Sequence, residues 1–352
     1  MTRIAILHGG SDLYGASRVL IQDVGLLVSC GHDVDVVLPM NGPLVDALRA
    51  AGANPIVDPA LRVVRRVDGL RAMRPPRRLP PVCKSADVTV LWTLALMLYA
   101  PLLALRRRSF GVSVHELLPG PLGAALLRVT TTGAAWVHAN SETVRRWVER
   151  HDGGRKALLA YPSVRIPPTI TKSHRIEGPL RLMLAGRVNG WKGHMEAIEA
   201  GRLLRARGCE LTLDLYGKPF PGQEDHLAAV LREVRLEDWI QYRGEYEANE
   251  PPYAEYDLAL CLPRVPEPFG LVPLEAWAHG TRSLGVPRGG AIESLLLVEG
   301  ITVGETASDV ARGVEWYSAR RSDLAKVNPN APAARYCTDD RRKEIWARSL
   351  PA

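Results

Sequence analysis

The sequence predicts an α/β fold of two Rossmann-like halves, and three observations carry that prediction. The chain has 352 residues, too many for one ordinary domain and suited to two of about 170 each. Its start runs apolar strand, glycine-containing loop, helix, which is the opening of a doubly wound half. The same alternation begins again at Leu180. With 46% hydrophobic residues the chain can bury two full cores.

In the first half, residues 4–7 read as a short apolar strand, HGGSDLYGAS as the loop after it, and residues 18–30 as a helix. Gly9, Gly10 and Gly15 do not match G-x-G-x-x-G, so a dinucleotide fingerprint is not supported. Residues 33–38 alternate as a second strand, which places Asp33 and Asp35 on its polar face rather than around a metal. A helix over 42–51 and a strand over 55–57 follow, then a basic segment over 63–73 closed by the proline-rich PPRRLPP.

Residues 88–105 form an apolar run of 18, the lower limit for a membrane span. The β-rich start and Pro101 instead predict a buried strand running into an apolar helix. The strand over 112–114 ends at His115 and Glu116, where an open α/β sheet places its ligand contacts. A strand over 136–139 leads to a helix capped by Ser141 or Asn140, with Glu142 in its first turn. Pro162, Pro167, Pro168 and the polar stretch 169–174 predict the interdomain linker.

The second half opens with a strand over 180–185 and the loop GRVNGWKG, then alternates helix 193–208, strand 211–216, helix 226–234, strand 240–243, a short helix near 253–256 and strand 258–262. The end, over 339–350, reads as helical.

Charge is unevenly placed. Residues 1–172 hold 22 Lys and Arg against 12 Asp and Glu, a balance of +10, and the remainder carries −3. The excess clusters at Arg62, Arg65, Arg66, Arg71, Arg74, Arg77 and Arg78, and again at Arg106, Arg107 and Arg108. Two readings stand: a site for anionic lipid headgroups or acidic substrates, or a solvated arginine-rich face. No aromatic-interleaved or helix-turn-helix pattern accompanies the arginines, so nucleic acid is not expected. The five cysteines are scattered and mostly within apolar runs, as expected of reduced core residues in a cytosolic protein. The start MTRIAILHGG enters a strand directly, without the long apolar region of a signal peptide, so a cytoplasmic location is expected.

One stretch concentrates the chemistry. EPFGLVPLEAWAHG places Glu267 in a loop and Glu275 eight residues on, in a helix whose first turn suits Pro273. Backbone N–H groups near Phe269, Gly270, Leu271 and Val272 would face a phosphate at that helix end. Phosphates on the amides, one carboxylate on a sugar and one on a ribose would hold a nucleotide sugar. With 21 glutamates in the chain, one such pair is expected by chance, so the context has to carry the reading.

That context resembles the Glu-x7-Glu motif of retaining glycosyltransferases with the GT-B fold, most closely glycosyltransferase family 4, and the resemblance extends over nearly the whole chain. It implies two Rossmann-like domains facing each other across a cleft: an acceptor-side domain over 1–168, a donor-side domain over 175–335, and a C-terminal helix over 336–352 returning to the first. It implies that Arg187 and Lys192 hold the donor diphosphate, that Glu267 holds sugar hydroxyls and Glu275 the ribose, and that His115 reaches the transferred sugar. The backbone around Tyr242, Arg243 and Gly244 would lie along the nucleobase. Gly10 would allow close approach near the phosphates, with Asp12, Tyr14 and Glu116 as acceptor contacts. GVPRGGAIESL resembles the family's Gly-Gly-x-x-Glu segment through Gly289, Gly290 and Glu293, although Gly280-Thr281-Arg282-Ser283 departs from the usual apolar strand before it.

The expected reaction is transfer of a sugar from a nucleoside-diphosphate sugar to a glycan, lipid-linked or small-molecule hydroxyl, with no metal and no cofactor, and with peripheral contact to anionic membrane at the inner face of the cell membrane. Two alternatives stay open: a catalytically silent nucleotide- or glycan-binding protein of the same fold, and a sugar-nucleotide epimerase.

Overall fold

A computed structural model describes residues 1–64, 76–164, 177–245 and 252–351. The chain divides into two compact units: Met1–Ser163 with Cys337–Ala352, and Val164–Tyr336. Arg65, Arg66, Arg71 and Arg74, and the linker prolines Pro167 and Pro168 with the stretch 169–174, lie outside the described residues.

The first unit is built on a parallel sheet of β1 (Arg3–Leu7), β2 (Asp33–Leu38), β3 (Asn54–Val57), β4 (Val88–Leu91), β5 (Phe110–Val114), β6 (Trp136–Ala139) and β7 (Leu158–Leu159), in the order β3-β2-β1-β4-β5-β6-β7. Helices cover both faces of such a sheet, so its central strands read as apolar runs. Ile4, Ala5, Ile6 and Leu7 of β1 and Val88, Val90 and Leu91 of β4 are at most 1% exposed. Asp35 sits on the polar side of β2, where its Oδ1 accepts from Asn54 Nδ2 at 2.7 Å.

The second unit repeats the plan with β8 (Leu180–Ala185), β9 (Leu211–Tyr216), β10 (Ile240–Gly244), β11 (Leu258–Cys261), β12 (Arg282–Gly285) and β13 (Ile301–Thr302), in the order β10-β9-β8-β11-β12-β13. Each sheet is wound outward from its first strand and then back to the other side of it. The direction reverses between β1 and β4 in one unit and between β8 and β11 in the other. At such a reversal the loops leaving the strands diverge and open a crevice at the carboxyl edge.

Several boundaries differ from expectation. The first helix begins at Ala16, two residues early, because Gly15 at φ 42° turns the chain directly into it. The apolar run after β4 is broken: a 3-10 helix over Leu94–Tyr99 passes into an α-helix over Ala100–Leu105, with Pro101 in its first turn, where its missing N–H costs nothing. Among the described residues, no helix is long and apolar enough to cross a membrane. Ser141 caps the helix Glu142–His151, its Oγ accepting from Val144 N at 2.9 Å. The final helix, Asp339–Ser349, is part of the first unit and lies against the helix Ala16–Ser29.

Candidate active site

In the second unit the predicted residues gather at the winding reversal. β8 ends at Ala185, and the loop that follows closes on the helix His194–Ala206. Gly193 caps that helix in a left-handed conformation (φ 82°), and a Cβ there would stand 2.2 Å from the Leu262 carbonyl oxygen. The loop is therefore pressed onto the chain leaving β11, which carries Glu267. Lys192 Nζ meets Glu267 Oε1 at 2.7 Å. The lysine side chain is one-third exposed and the glutamate nearly buried. Burial works against the ammonium charge, but the attraction and hydrogen bond of Glu267 outweigh it, with help from Cys261 and Glu275, and hold Lys192 above its ordinary pKa.

The backbone around Glu267 is set by a neighbour far along the chain. Glu267 pairs in parallel with Gly289, and Gly290 N–H donates to Glu267 O at 2.6 Å. A Cβ on Gly289 (φ 64°) would stand 2.6 Å from Glu267 O, and one on Gly290 would stand 2.0 Å from Pro268 O. Gly290 has ordinary right-handed dihedrals, so it is glycine for space and not for conformation. The segment matched on sequence thus serves as the bed on which the Glu267 loop lies. Gly270, at φ 86°, then turns the chain beside Glu267 Oε2.

The helix after that turn is Val272–Ala278, seven residues, with Pro273 in its first turn and Phe269 buried just before it. It ends at Ala278, because Gly280 at φ 77° reverses the chain toward β12. Glu275 is anchored by a residue that the sequence reading missed: Tyr253, fully buried, donates its hydroxyl to Glu275 Oε2 at 2.8 Å. Tyr253 is fixed in turn where its carbonyl accepts from Thr281 Oγ1. No local pattern marks a tyrosine in a short 3-10 turn, Pro252–Glu255, as the holder of a carboxylate 22 residues on.

Arg187 is 8% exposed, and its guanidinium carbon stands 3.9 Å from the Phe220 ring centroid, a cation–π contact that sequence reasoning also missed. Tyr242 and Arg243 stand on the edge strand β10. Tyr242 donates its hydroxyl to Gly217 O, and Arg243 Nε reaches Asp214 Oδ2 at 3.0 Å beside Tyr256. Their side chains are thus occupied within the fold.

In the first unit, His115 follows β5 directly. Its Nε2 lies 2.9 Å from Ser113 Oγ and its ring 4.9 Å from that of Trp92, and it is 8% exposed. Burial, then the charges of Arg342 and His8, push its pKa down to about 3, so the imidazole is neutral. The Glu116 carboxylate accepts from the backbone N–H groups of Leu94 and His115, capping the 3-10 helix, and burial raises its pKa to about 7. Asp12 Oδ1 accepts from Tyr14 N at 3.1 Å, which shapes the loop after β1. A Cβ on Gly10 would approach His8 Nε2 at 3.2 Å, and that same nitrogen lies 2.9 Å from Ser17 Oγ.

Among the described residues, no three His, Cys, Asp or Glu side chains converge as a metal site. The second unit can offer a phosphate-bearing ligand the cations Arg187 and Lys192, and hydroxyl groups the carboxylates Glu267, beside Lys192, and Glu275, on the helix that follows.

Residues 179–318 match a model described as glycosyl transferases group 1. The chain is 28% identical over 194 residues to a D-inositol 3-phosphate glycosyltransferase of Pseudarthrobacter chlorophenolicus; the alignment covers 48% of this chain and 44% of that one. The chain thus spans less than half the length of the curated relatives it matches. Among solved structures, Anabaena HepE in complex with UDP and glucose superposes with a TM-score of 0.80 at 20% identity, over 99% of each chain. Sucrose-phosphate synthase from Thermosynechococcus elongatus does so at 0.76 and 15% identity, over 99% of this chain and 98% of that one. The fold is GT-B, and residues 179–318 are similar to the glycosyl transferases group 1 family.

Proposed function

We propose that the chain is a glycosyltransferase resembling family 4, which moves a sugar from a nucleoside-diphosphate sugar to a hydroxyl of a glycan, lipid-linked or small-molecule acceptor, with retention and without a metal ion. The observation that carries this reading is the Lys192–Glu267 pair at 2.7 Å, with Glu275 held on the adjoining helix by Tyr253. A cation and a carboxylate side by side match the point where a donor passes from diphosphate to hydroxylated ring. An ammonium has three N–H donors, so Lys192 can serve Glu267 and still offer two to phosphate oxygens.

In the proposed step the bond between the anomeric carbon and the diphosphate oxygen breaks, and its electron pair stays on the diphosphate. Arg187 and Lys192 oppose that growing negative charge more strongly in the transition state than before it. The acceptor oxygen bonds to the anomeric carbon on the face the diphosphate leaves, and its proton passes to the departing phosphate oxygen. Glu267 orients sugar hydroxyls and Glu275 the ribose. Glu267 is not assigned as a nucleophile: a double displacement uses two carboxylates across the scissile bond, whereas here one is assigned to the nucleotide.

The test is thermal unfolding with UDP, GDP, ADP and dTDP beside a Glu275→Ala control. UDP is the first choice because a neighbour of the same fold was crystallised with it. A nucleotide at about 100 times its dissociation constant adds about 2.7 kcal/mol, a shift of several degrees. The expected result is one nucleotide that shifts the wild type and shifts the control less. No shift with any of the four overturns the donor-site reading.

A further inference from the structure

Arg187 and Lys192 are assigned to the same diphosphate but are held in different ways. Lys192 is aimed by the charge of Glu267 at 2.7 Å. Arg187 is covered by a ring: its guanidinium carbon stands over Phe220, 3.9 Å from the ring centroid, which is face-to-face van der Waals contact. Phe220 is half-buried, and it lies in the loop after β9, outside every segment so far assigned to the donor.

The backbone fixes where that ring goes. Gly217 follows β9 at φ 129°, and a Cβ there would stand 1.8 Å from Gly186 O. Gly186 N–H donates to Tyr216 O and Val188 N–H to Lys218 O, each at 3.1 Å. The loop after β9 therefore runs pressed along residues 186–188, with Arg187 between the two bonded positions. Phe220 stands between Pro219 and Pro221, whose locked φ angles stiffen the loop, and Gln223 N–H closes the turn on Phe220 O at 2.9 Å. At the far end a Cβ on Gly190 would stand 2.9 Å from His226 Cε1, so the helix Glu224–Val234 also lies against the loop that carries both cations.

We propose that Phe220 is a positioning residue for the donor diphosphate and that it acts through Arg187. Stacking engages the face of the guanidinium, whereas hydrogen bonds are made by the N–H groups in its plane, so the two do not compete. With the plane fixed, the arginine can meet phosphate oxygens edge-on with its paired donors. The ring also keeps water off one face of the cation, which strengthens its attraction for phosphate. An aliphatic side chain would fill the same space without a π-face for the cation. The proposal rests on the donor-site reading above.

The test is calorimetric titration of the full chain with UDP, GDP, ADP and dTDP, because a free nucleoside diphosphate carries in full the charge that develops as the donor bond breaks. Phe220→Leu should weaken the nucleotide that binds about tenfold, and Phe220→Tyr should bind it as the wild type does. In an Arg187→Gln background, Phe220→Leu should cause no further loss, whereas a loop residue with a merely structural role would weaken binding equally in both backgrounds. The unfolding temperature without nucleotide should be the same in all variants. Wild-type affinity in Phe220→Leu, an equal loss in both backgrounds, or failure of Phe220→Tyr to restore binding overturns the positioning role while leaving the donor site intact. A wild type that takes up none of the four nucleotides, or an Arg187→Gln variant that binds as tightly as the wild type, overturns the donor-site reading of Arg187 and the proposal with it.

Discussion

Arg342 and Asp23 lie 319 positions apart and meet inside the first unit: Arg342 Nε and Nη2 each stand 2.6 Å from an Asp23 oxygen, and both side chains are 1% exposed. Arg342 also donates to Ala160 O, and Trp346 Nε1 donates to Asp23 Oδ2 at 3.0 Å. The bidentate pair fixes the helix Asp339–Ser349 onto the helix Ala16–Ser29.

Removing one partner leaves the other charge buried and alone. Asp23→Ala is expected to cost the first unit about 3–5 kcal/mol, read by denaturant unfolding. The double variant Asp23→Leu with Arg342→Met should recover much of that loss, because two apolar groups strand no charge. A loss of less than about 1 kcal/mol in the single variant would show that the helix is held by its apolar contacts instead.

The same interior holds three neutral histidines. Burial lowers His8 to about 4 and His115 to about 3, and takes His138 well below its ordinary value, with Arg342 adding to the last two. Below pH 6.5 the unfolded chain takes up protons on all three that the folded unit refuses, so stability falls with pH. Glu116 works the other way: raised to about 7, it keeps a proton in the folded unit that the unfolded chain releases above about pH 4.5. Between pH 6.5 and 4.5 the net difference is about two protons, or roughly 3 kcal/mol per pH unit. Unfolding free energy measured across that window should drop steeply as the pH is lowered, and a flat profile would reject the buried neutral histidines.

Gly290→Ala tests the bed beneath Glu267. The backbone there accepts alanine, but its Cβ would stand 2.0 Å from the Pro268 carbonyl oxygen. The Glu267 loop has to lift, which separates Glu267 from Lys192. Donor turnover is expected to fall about a hundredfold or more, as catalytic groups displaced by about an ångström commonly do, with far-UV circular dichroism unchanged. Wild-type turnover would mean that the loop's position is set elsewhere.

Tyr253→Phe keeps the ring in its buried site and removes the hydroxyl that holds Glu275. Under the proposed function the donor KM should rise about tenfold, the effect of losing one hydrogen bond to a charged group, while kcat changes little. An equal fall in kcat with KM unchanged would place Glu275 in the chemical step rather than on the ribose.

Much of the fold was legible because its signals are local. The strands Asp33–Leu38, Trp136–Ala139, Leu180–Ala185 and Leu211–Tyr216 match their expected bounds, the first because its start alternates polar and apolar residues and the others because strands covered by helices are mostly apolar. Glu267 in a loop and Glu275 in the next helix could likewise be read from Gly270 and Pro273. Ends were less legible where a turn residue competed with helix propensity, as at Gly15 and Gly280.

By itself the sequence determined the two alternating halves, the strands and the loops in which the charged residues sit, because each of these depends on neighbours within a turn or a strand. Only the tertiary structure decided which residues meet. Lys192 with Glu267, Tyr253 with Glu275, Gly290 beneath Pro268 and Arg342 on Asp23 are pairings of 75, 22, 22 and 319 positions. Such pairings follow from the order in which strands are wound into a sheet and from close packing between loops, and no window of neighbouring residues contains either.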